Sequence, residues 1–346
     1  MIEEFNSLKL SENHYLKIAR DSNNIYFEEF IESILKIKEF LSPKDFKILW
    51  NDKMQFKKIK FDEKAFIQAA CELSVAVYFC EKDSFKVEVK VNPANKKDVD
   101  VQFKSNGFTY NIEVKCASFE AKEIVQKSDS FKFQTLGRLN NTNDLIKIIS
   151  NSIDEGLSKK GESLKPHEVL KNMDNNLKDF LESAHQKFNT NSNENEINIL
   201  LIGCDDPADM QSWVGYLTAS EGLFTENSFL DTDKYNNVDL VVLTNLYFKH
   251  KNFNNKKIEN SWNLDQTLNL SLVNPFRKKN KSGGITNFYT ELINYNIHID
   301  NFEVPGHAPD QVKEVVRIPY FVRKFLEEKR GIYLFEKKNN EMDELK

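Results

Sequence analysis

The chain has only four cysteines, Cys71, Cys80, Cys116 and Cys204, and no two of them stand at a metal-ligand spacing. That excludes a zinc site of the paired-cysteine kind. All four lie in apolar stretches, so buried free thiols in a reducing cytoplasm are expected. No segment approaches the ~18 consecutive apolar residues of a membrane span. The opening MIEEFNSLKLSENH is acidic and carries no apolar secretory segment, so a cytoplasmic location without a membrane partner is expected. A Gly-Lys-Ser/Thr phosphate loop, a Gly-x-Ser-x-Gly nucleophile elbow and an internal repeat are also missing. So is a dominant charge sign: 48 Lys and Arg stand against 53 Asp and Glu, a net −5. A polyanion would therefore have to be met by local clusters. Two exist, the lysine-rich Lys44–Lys60 and the run Arg277-Lys278-Lys279-Asn280-Lys281.

What is present begins with ample core: 40% apolar and 12% aromatic residues in a chain of 346, room for one large or two modest domains. The most informative stretch is Phe85–Cys116. Two alternating runs, Val99–Phe103 and Phe108–Val114, flank Ser105-Asn106-Gly107. Asn-Gly between alternating runs marks a two-residue hairpin, because both turn residues must take positive φ. With Asn106-Gly107 as that turn, Val99, Val101 and Phe103 face Val114, Ile112 and Tyr110 on an apolar side. Asp100 falls opposite Glu113 and Asp98 opposite Lys115. Like charges directly opposite on a sheet are destabilising; at roughly 4 Å they repel by about 1 kcal/mol in water and about 4 kcal/mol at an effective dielectric of about 20. A divalent cation between them reverses the sign, and Mg²⁺ favours one or two carboxylates plus water and substrate phosphate.

Asp100, followed on the next strand by Glu113-Val114-Lys115, resembles the signature of the PD-(D/E)XK nuclease superfamily, the restriction-endonuclease-like fold. Glu72, in FIQAACELSVAVYF, is similar to the glutamate that many members carry on the helix before the first core strand. The proline of the family name is absent, which leaves Asp98 and Asp100 as competing candidates. The resemblance covers roughly residues 61–205. It implies Asp100, Glu113, the Val114 carbonyl and Glu72 around Mg²⁺, with Mn²⁺ as a substitute, and Lys115 as the residue that orients water or steadies charge on phosphorus. It further implies phosphodiester hydrolysis of double-stranded DNA, in a restriction or anti-phage setting with a partner protein supplying target recognition. Gln134 is a weaker candidate, since nuclease relatives often carry a glutamine downstream of the lysine.

The pattern elsewhere suggests an α/β fold. A helical lead-in fills residues 1–60, with Phe27, Phe30, Ile31, Ile34, Leu35, Ile37 and Phe40–Leu41 at helical spacing before Ser42-Pro43, and a second helix over Asp45–Trp50. Asp62–Cys80 is apolar almost all round, so its helix is buried and Glu72 inside it needs a partner. Phe85–Val91 alternates as a strand. Ala117–Asn141 reads as irregular. A helix is expected after Pro166, with Val169, Leu170, Met173, Leu177, Phe180, Leu181, Ala184 and Phe188 on one stripe. Ile197–Cys204 and Asp239–Leu246 read as strands covered on both faces. The resulting α-β-β-β-α-β order is what the resemblance implies for a core at 61–250, a mixed central sheet flanked by helices. A mixed extension follows over 251–346, with a helix at Val312–Glu328 and a short strand at Ile332–Phe335. Two other readings stand beside this one: a binding module that keeps the fold without turnover, and a doubly wound α/β enzyme centred on INILLIGCDDPAD with a small ligand near Asp205. Turn and helix-cap chemistry offers a structural account of Asp205, Asp206 and Asp209.

Overall fold

The Asn106-Gly107 turn takes positive φ at both residues, 49° and 82°, in the computed structural model, which describes residues 9–133, 142–170, 173–307 and 309–337. It joins β2 (Val99–Ser105) to β3 (Phe108–Cys116), with Val101 paired to Ile112, Phe103 to Tyr110 and Ser105 to Phe108. That is the register read from the sequence. β1 (Asp83–Val89) pairs antiparallel with β2. Three further strands complete the sheet: β6 (Glu196–Gly203), β7 (Leu240–Thr244) and β8 (Asn269–Val273). The order is β1-β2-β3-β6-β7-β8, mixed, with β3, β6 and β7 parallel and both outer pairings antiparallel. The protein is thus α/β, a six-stranded mixed sheet flanked by helices.

The helices follow from caps and stripes. α1 (Tyr15–Asp21), α2 (Ile25–Lys38) and α3 (Pro43–Ile48) are capped by the side chains of His14, Asn24 and Ser42. α3 continues as a π-turn over Leu49–Lys53, beyond the helix expected to Trp50. α4 (Glu63–Phe79) starts where the Asp62 side chain accepts the Ala65 amide and is buried on nearly every side. Its Phe79 stacks on Phe103 at 4.3 Å between ring centres, which lays α4 on the apolar face of the hairpin.

Between β3 and β6 the chain departs from expectation. The stretch read as irregular holds α5 (Glu120–Lys127) and β4 (Phe131–Phe133), and α6 (Thr142–Lys160) begins just after it; Gln134 lies outside the described residues. The residues after Pro166 form not a helix but β5 (His167–Val169), paired parallel with β4. The His167 ring stacks between Phe131 and Phe133 at 5.5 and 5.8 Å, so a tertiary pairing overrides helical spacing there. α7 (Asp174–Lys187) begins later, and Met173, Leu177, Leu181, Ala184 and Phe188 of the expected stripe are its buried contacts.

The remaining helices are α8 (Pro207–Thr218), α9 (Leu246–Lys251), α10 (Ser282–Glu291), α11 (Asn296–Asp300) and α12 (Asp310–Tyr320), the last running on as a π-helix through Lys329. No strand forms at Ile332–Phe335; Leu334 and Phe335 are buried as irregular chain, the Leu334 carbonyl accepting from Asn245. β8 comes from the residues read as an extension, and it is an edge of the central sheet rather than an appendage.

A buried polar row crosses the sheet and pins its register. The Gln102 amide donates to Asn111 (2.8 Å), Asn111 to Asn198 (2.9 Å), and Asn198 to the Asn237 carbonyl (2.9 Å). The Asn198 main chain donates to Asp239, whose carboxylate pairs at 2.8 Å with buried Lys281. A slip of one residue would leave each of these groups buried without a partner. This also corrects the basic-loop expectation at one position, since Lys281 is held inside the fold and cannot reach phosphate.

Gly203 ends β6 where three elements converge. A Cβ there would lie 2.7 Å from Cys116 Sγ and 3.2 Å from Tyr247 Cβ. Gly203→Ala should therefore destabilise by about 1–3 kcal/mol through overpacking. Gly156→Ala, in open space on α6, should be neutral or stabilise by up to about 1 kcal/mol. Urea midpoints of the two variants check both signs.

Candidate metal centre

Strand register assembles the site. On β1, Val87 pairs with Val101 and Val89 with Val99, so Glu88 stands opposite Asp100. On β3, the Val101–Ile112 pairing carried one residue further sets Glu113 opposite Asp100. Three carboxylates thus cross adjacent strands in one row. The paired ladder of β2 and β3 ends at Val101 and Ile112, and beyond it the Val114 amide donates 2.7 Å to Asp100 Oδ2. The hairpin opens at this end, away from its turn. β1 is bulged between Asp83 and Lys86, nearer the turn end, and takes φ of 55° at Ser84 and 52° at Glu88, conformations that side chains adopt only when the surroundings hold them. A fourth carboxylate, Glu72, enters from α4, and oxygens of Glu72, Glu88 and Asp100 all lie within 4.8 Å of one another.

Lysines sit at both ends of the row. Lys53, at the end of the π-turn, places Nζ 2.6 Å from Glu72 Oε2 and also donates to Glu88. At the other end Lys115 and Lys187 place Nζ 2.7 and 2.6 Å from the fully buried Glu113 Oε1. Lys187 arrives from α7. Gln68, one turn before Glu72 on α4, ties helix to strand: its amide donates to Glu72 (2.8 Å) and to the Val114 carbonyl (2.9 Å), and it accepts the Cys116 amide (2.7 Å). A cleft of about 40 Å³ beside the cluster is walled by Ile37, Leu41, Leu49 and Val87.

Burial against that apolar wall, reinforced by the charges of Glu72 and Glu113, pushes the Asp100 carboxyl well above the ordinary aspartate range; Lys53 and Lys187 oppose the rise. Burial works against charge on Lys53, but Glu72, Asp100 and Glu88 more than offset it and hold the ammonium above its usual value. Lys115 is raised in the same way, burial opposed chiefly by Glu113. The row is a block of carboxylates closed at either end by lysines, and the protonation of Asp100, Lys53 and Lys115 depends on their neighbours.

Of the residues expected from sequence, Glu72 and Asp100 come together. Glu113 and Lys115 lie at the far end of the row, bonded to each other. The Val114 carbonyl is engaged by Gln68. Asp98 is not in the cluster; it is half-buried just before β2, and Asp100 takes the central place. The polar face of the hairpin is covered rather than open, because β3 is an inner strand and Lys187 of α7 reaches across it. Glu88, Lys53, Lys187 and Gln68 were not singled out from sequence. The alternation of Phe85, Val87 and Val89 places Glu88 on the polar side, and Gln68 stands four residues before Glu72, so two of the four left a local trace.

Asp205, Asp206 and Asp209, and the buried His250, have structural partners. Asp206 caps α8, and Asp209 pairs with Lys122 at 3.3 Å and accepts from Trp213. Burial raises Asp205 to about 7, with Lys122 opposing. His250 is enclosed between Tyr26 (2.9 Å) and Ser74 (3.1 Å), and burial lowers it to about 3, so it stays neutral.

No protein-family model, curated protein or solved structure matches the chain. The chemistry of the site stands on its geometry. Its donors are carboxylate oxygens, the set that hard cations such as Mg²⁺ take; Asp100 is buried, Glu72 half-buried and Glu88 exposed, and an ion among them would relieve their repulsion. Glu72, Glu88 and Asp100 are the residues able to hold it.

Asp100→Asn should thus melt at or above the wild type in EDTA. With its pKa raised from 3.8, Asp100 binds a proton in the native state across pH values where the unfolded chain has released it. That stabilisation is complete below the ordinary value and disappears as pH rises through the raised one. The advantage of Asp100→Asn should accordingly widen with pH over that window. Mg²⁺ should raise the melting temperature of the wild type by mass action and that of the variant much less. Lys53→Met should melt below wild type in EDTA and gain more from Mg²⁺. Equal Mg²⁺ responses in all three proteins would dismiss the site.

Proposed function

We propose that this protein is a metal-dependent nuclease of the PD-(D/E)XK type, hydrolysing phosphodiester bonds in DNA. The observation that carries the reading is the register: Glu88, Asp100 and Glu113 stand side by side across three strands, closed by Glu72 and followed by Lys115 two residues on. Four neighbouring carboxylates, of which Glu72, Glu88 and Glu113 pair with lysines and the buried Asp100 with none among the described residues, are costly as structure alone. Elements α4, β1, β2, β3, α7 and β6 run in the α-β-β-β-α-β order of the restriction-endonuclease-like fold, with β4, β5, α5 and α6 inserted after β3.

Mg²⁺ bound by Glu72, Glu88 and Asp100 would supply positive charge to a phosphoryl oxygen and to the attacking water. Lys115, drawn from Glu113, would orient that water or meet the charge developing on phosphorus. Glu113 holds Lys115 and Lys187 in place and so sets their direction. Lys53 occupies the carboxylate cluster with its own ammonium and must swing aside for an ion to enter. Gln68 must likewise release the Val114 carbonyl if that oxygen is to serve as a ligand. Lys53 also supports a second reading, a nucleic-acid-binding module on the same fold in which the lysine permanently stands where the ion would be.

Cleavage of supercoiled and linear double-stranded DNA with Mg²⁺ or Mn²⁺ distinguishes the two. Activity should vanish in EDTA and fall by a hundredfold or more in Glu113→Gln and Lys115→Ala, on the scale of removing a group that stabilises developing charge. Asp98→Asn should retain most of it. A Glu113→Gln protein, verified folded by circular dichroism, that still cleaves at the wild-type rate would sink the assignment. A wild type that binds DNA and never cleaves it would favour the binding module.

A further inference from the structure

A second hollow adjoins the metal centre along α4. It encloses about 780 Å³ and is lined by Lys58, Lys60, Lys64, Lys251, Ala117 and Ser118 among others. Lys64, Gln68 and Glu72 are spaced by four residues and form one stripe on α4, and the Gln68–Glu72 hydrogen bond shows the two side chains meeting. At 1.5 Å per residue, Lys64 stands about 12 Å along the helix from Glu72. A nucleic-acid strand advances about 3.4 Å per nucleotide, so the hollow begins some three or four nucleotides from the carboxylate cluster. On the strand side, Ala117 and Ser118 directly follow Cys116, whose amide is held by Gln68. Gln68, bonded to Glu72 on one side and to the Cys116 amide on the other, stands between the two sites.

Lys58 and Lys60 are presented on a closed loop, and Lys64 on the first turn of α4. Gln55, at φ 60°, clamps the loop base with its side chain, donating to the Asp62 carbonyl at 2.8 Å and accepting the Asp62 amide at 2.9 Å. The Lys58 amide donates back to the Gln55 carbonyl at 3.0 Å. Lys58, Lys60 and Lys64 are exposed, and none has an ion-pair partner among the described residues. The acidic groups nearby are mostly taken: Asp62 caps α4, Glu63 pairs with Lys251 at 3.0 Å and accepts from Tyr15, and Glu123 pairs with Lys251 at 3.7 Å. Glu120 is the remaining carboxylate on the wall. Three uncommitted lysines on a preformed concave surface make a place for a polyanion, with little ordering to be done on binding.

We propose that this hollow is the track for the phosphate backbone of one nucleic-acid strand, leading into the carboxylate cluster. The inference rests on the nuclease reading for the identity of its ligand, but it concerns binding and can fail separately. The loop Arg277–Lys281 is not part of the track. It follows β8 near the paired residues Leu240 and Val273, and α10 beyond it packs Gly284 against Phe108 at the turn end of the hairpin, opposite the cluster.

The experiment is fluorescence anisotropy in EDTA, where cleavage cannot intervene, with a labelled 20-nucleotide single-stranded DNA and its duplex as probes over a salt series. Lys58→Gln/Lys60→Gln/Lys64→Gln should weaken binding at least tenfold at low salt and flatten the slope of log affinity against log salt by about 2 to 3, since each lost phosphate contact removes about 0.7–0.9. Lys278→Gln/Lys279→Gln should change neither quantity. Unchanged affinity and slope in the triple variant would overturn the track, even with a wild type that cleaves DNA. A wild type that binds both probes through these lysines and never cleaves would uphold the track while the nuclease reading fails. A wild type that binds neither probe would overturn the track and leave the nuclease reading to the cleavage assay.

Discussion

The structure depends on a set of like charges that the sheet forces into register. Once the Asn106-Gly107 turn fixes β2 against β3, Asp100 and Glu113 cannot avoid each other, and the β1 pairing adds Glu88 on the opposite side. Backbone hydrogen bonds and the buried face of Val99, Val101 and Phe103 decide that alignment, and the carboxylates must accept it. What makes it tolerable is the arrival of cations from outside the hairpin: Lys53 from the π-turn, Lys187 from α7. Without them the buried repulsion would exceed what a strand pair withstands.

This dependence explains why apparently remote elements are built as they are. The π-turn at Leu49–Lys53 carries the chain past a regular helical end and delivers Lys53 to the cluster. The strain at Glu88, a non-glycine residue at φ 52°, keeps its carboxylate with Glu72 and Asp100 although β1 is an edge strand. Gln68 spans from α4 to the main chain of β3 and prevents the helix from drifting relative to the opened hairpin. The hairpin contributes Asp100, Glu113 and Lys115, while β1, α4, the π-turn and α7 contribute one charge each, so the arrangement exists only when all are docked.

The two polar systems in the sheet have different characters. The row Gln102, Asn111, Asn198 and Asp239 is neutral apart from the closed pair with Lys281; its amides donate and accept in sequence, and it sits under the middle of the sheet. It fixes register and offers nothing to a ligand. The carboxylate row lies two residues nearer the open end, beside a cleft, and its cations are side chains long enough to be exchanged. Its position at the splayed end of β2 and β3, rather than its composition alone, separates it chemically from its structural neighbour.

The hairpin, its turn, its register, the buried helix around Glu72 and the inner strands near Ile199 and Val241 were all legible in the sequence, because each rests on local periodicity or on the steric demands of two turn residues. The Asp100–Glu113 opposition followed from the same arithmetic. The sequence could not decide what else joined them. Glu88 reaches Asp100 through the Asn92–Lys97 connection, whose Asn-Pro and Asx turns make too long a link to set a strand register, so the β1 register was open. Lys53 and Lys187 lie 19 and 74 residues from the glutamates they pair with, a separation over which no spacing rule operates. The strand at His167–Val169 and the sheet edge at Asn269–Val273 exist because a partner strand was waiting, and the short segment at Ile332–Phe335 stayed irregular because none was. Local chemistry determined which charges would confront each other across the hairpin; only tertiary packing determined which lysines would neutralise them and where the sheet would end, since those pairings are made by surfaces that meet after the local structure has formed.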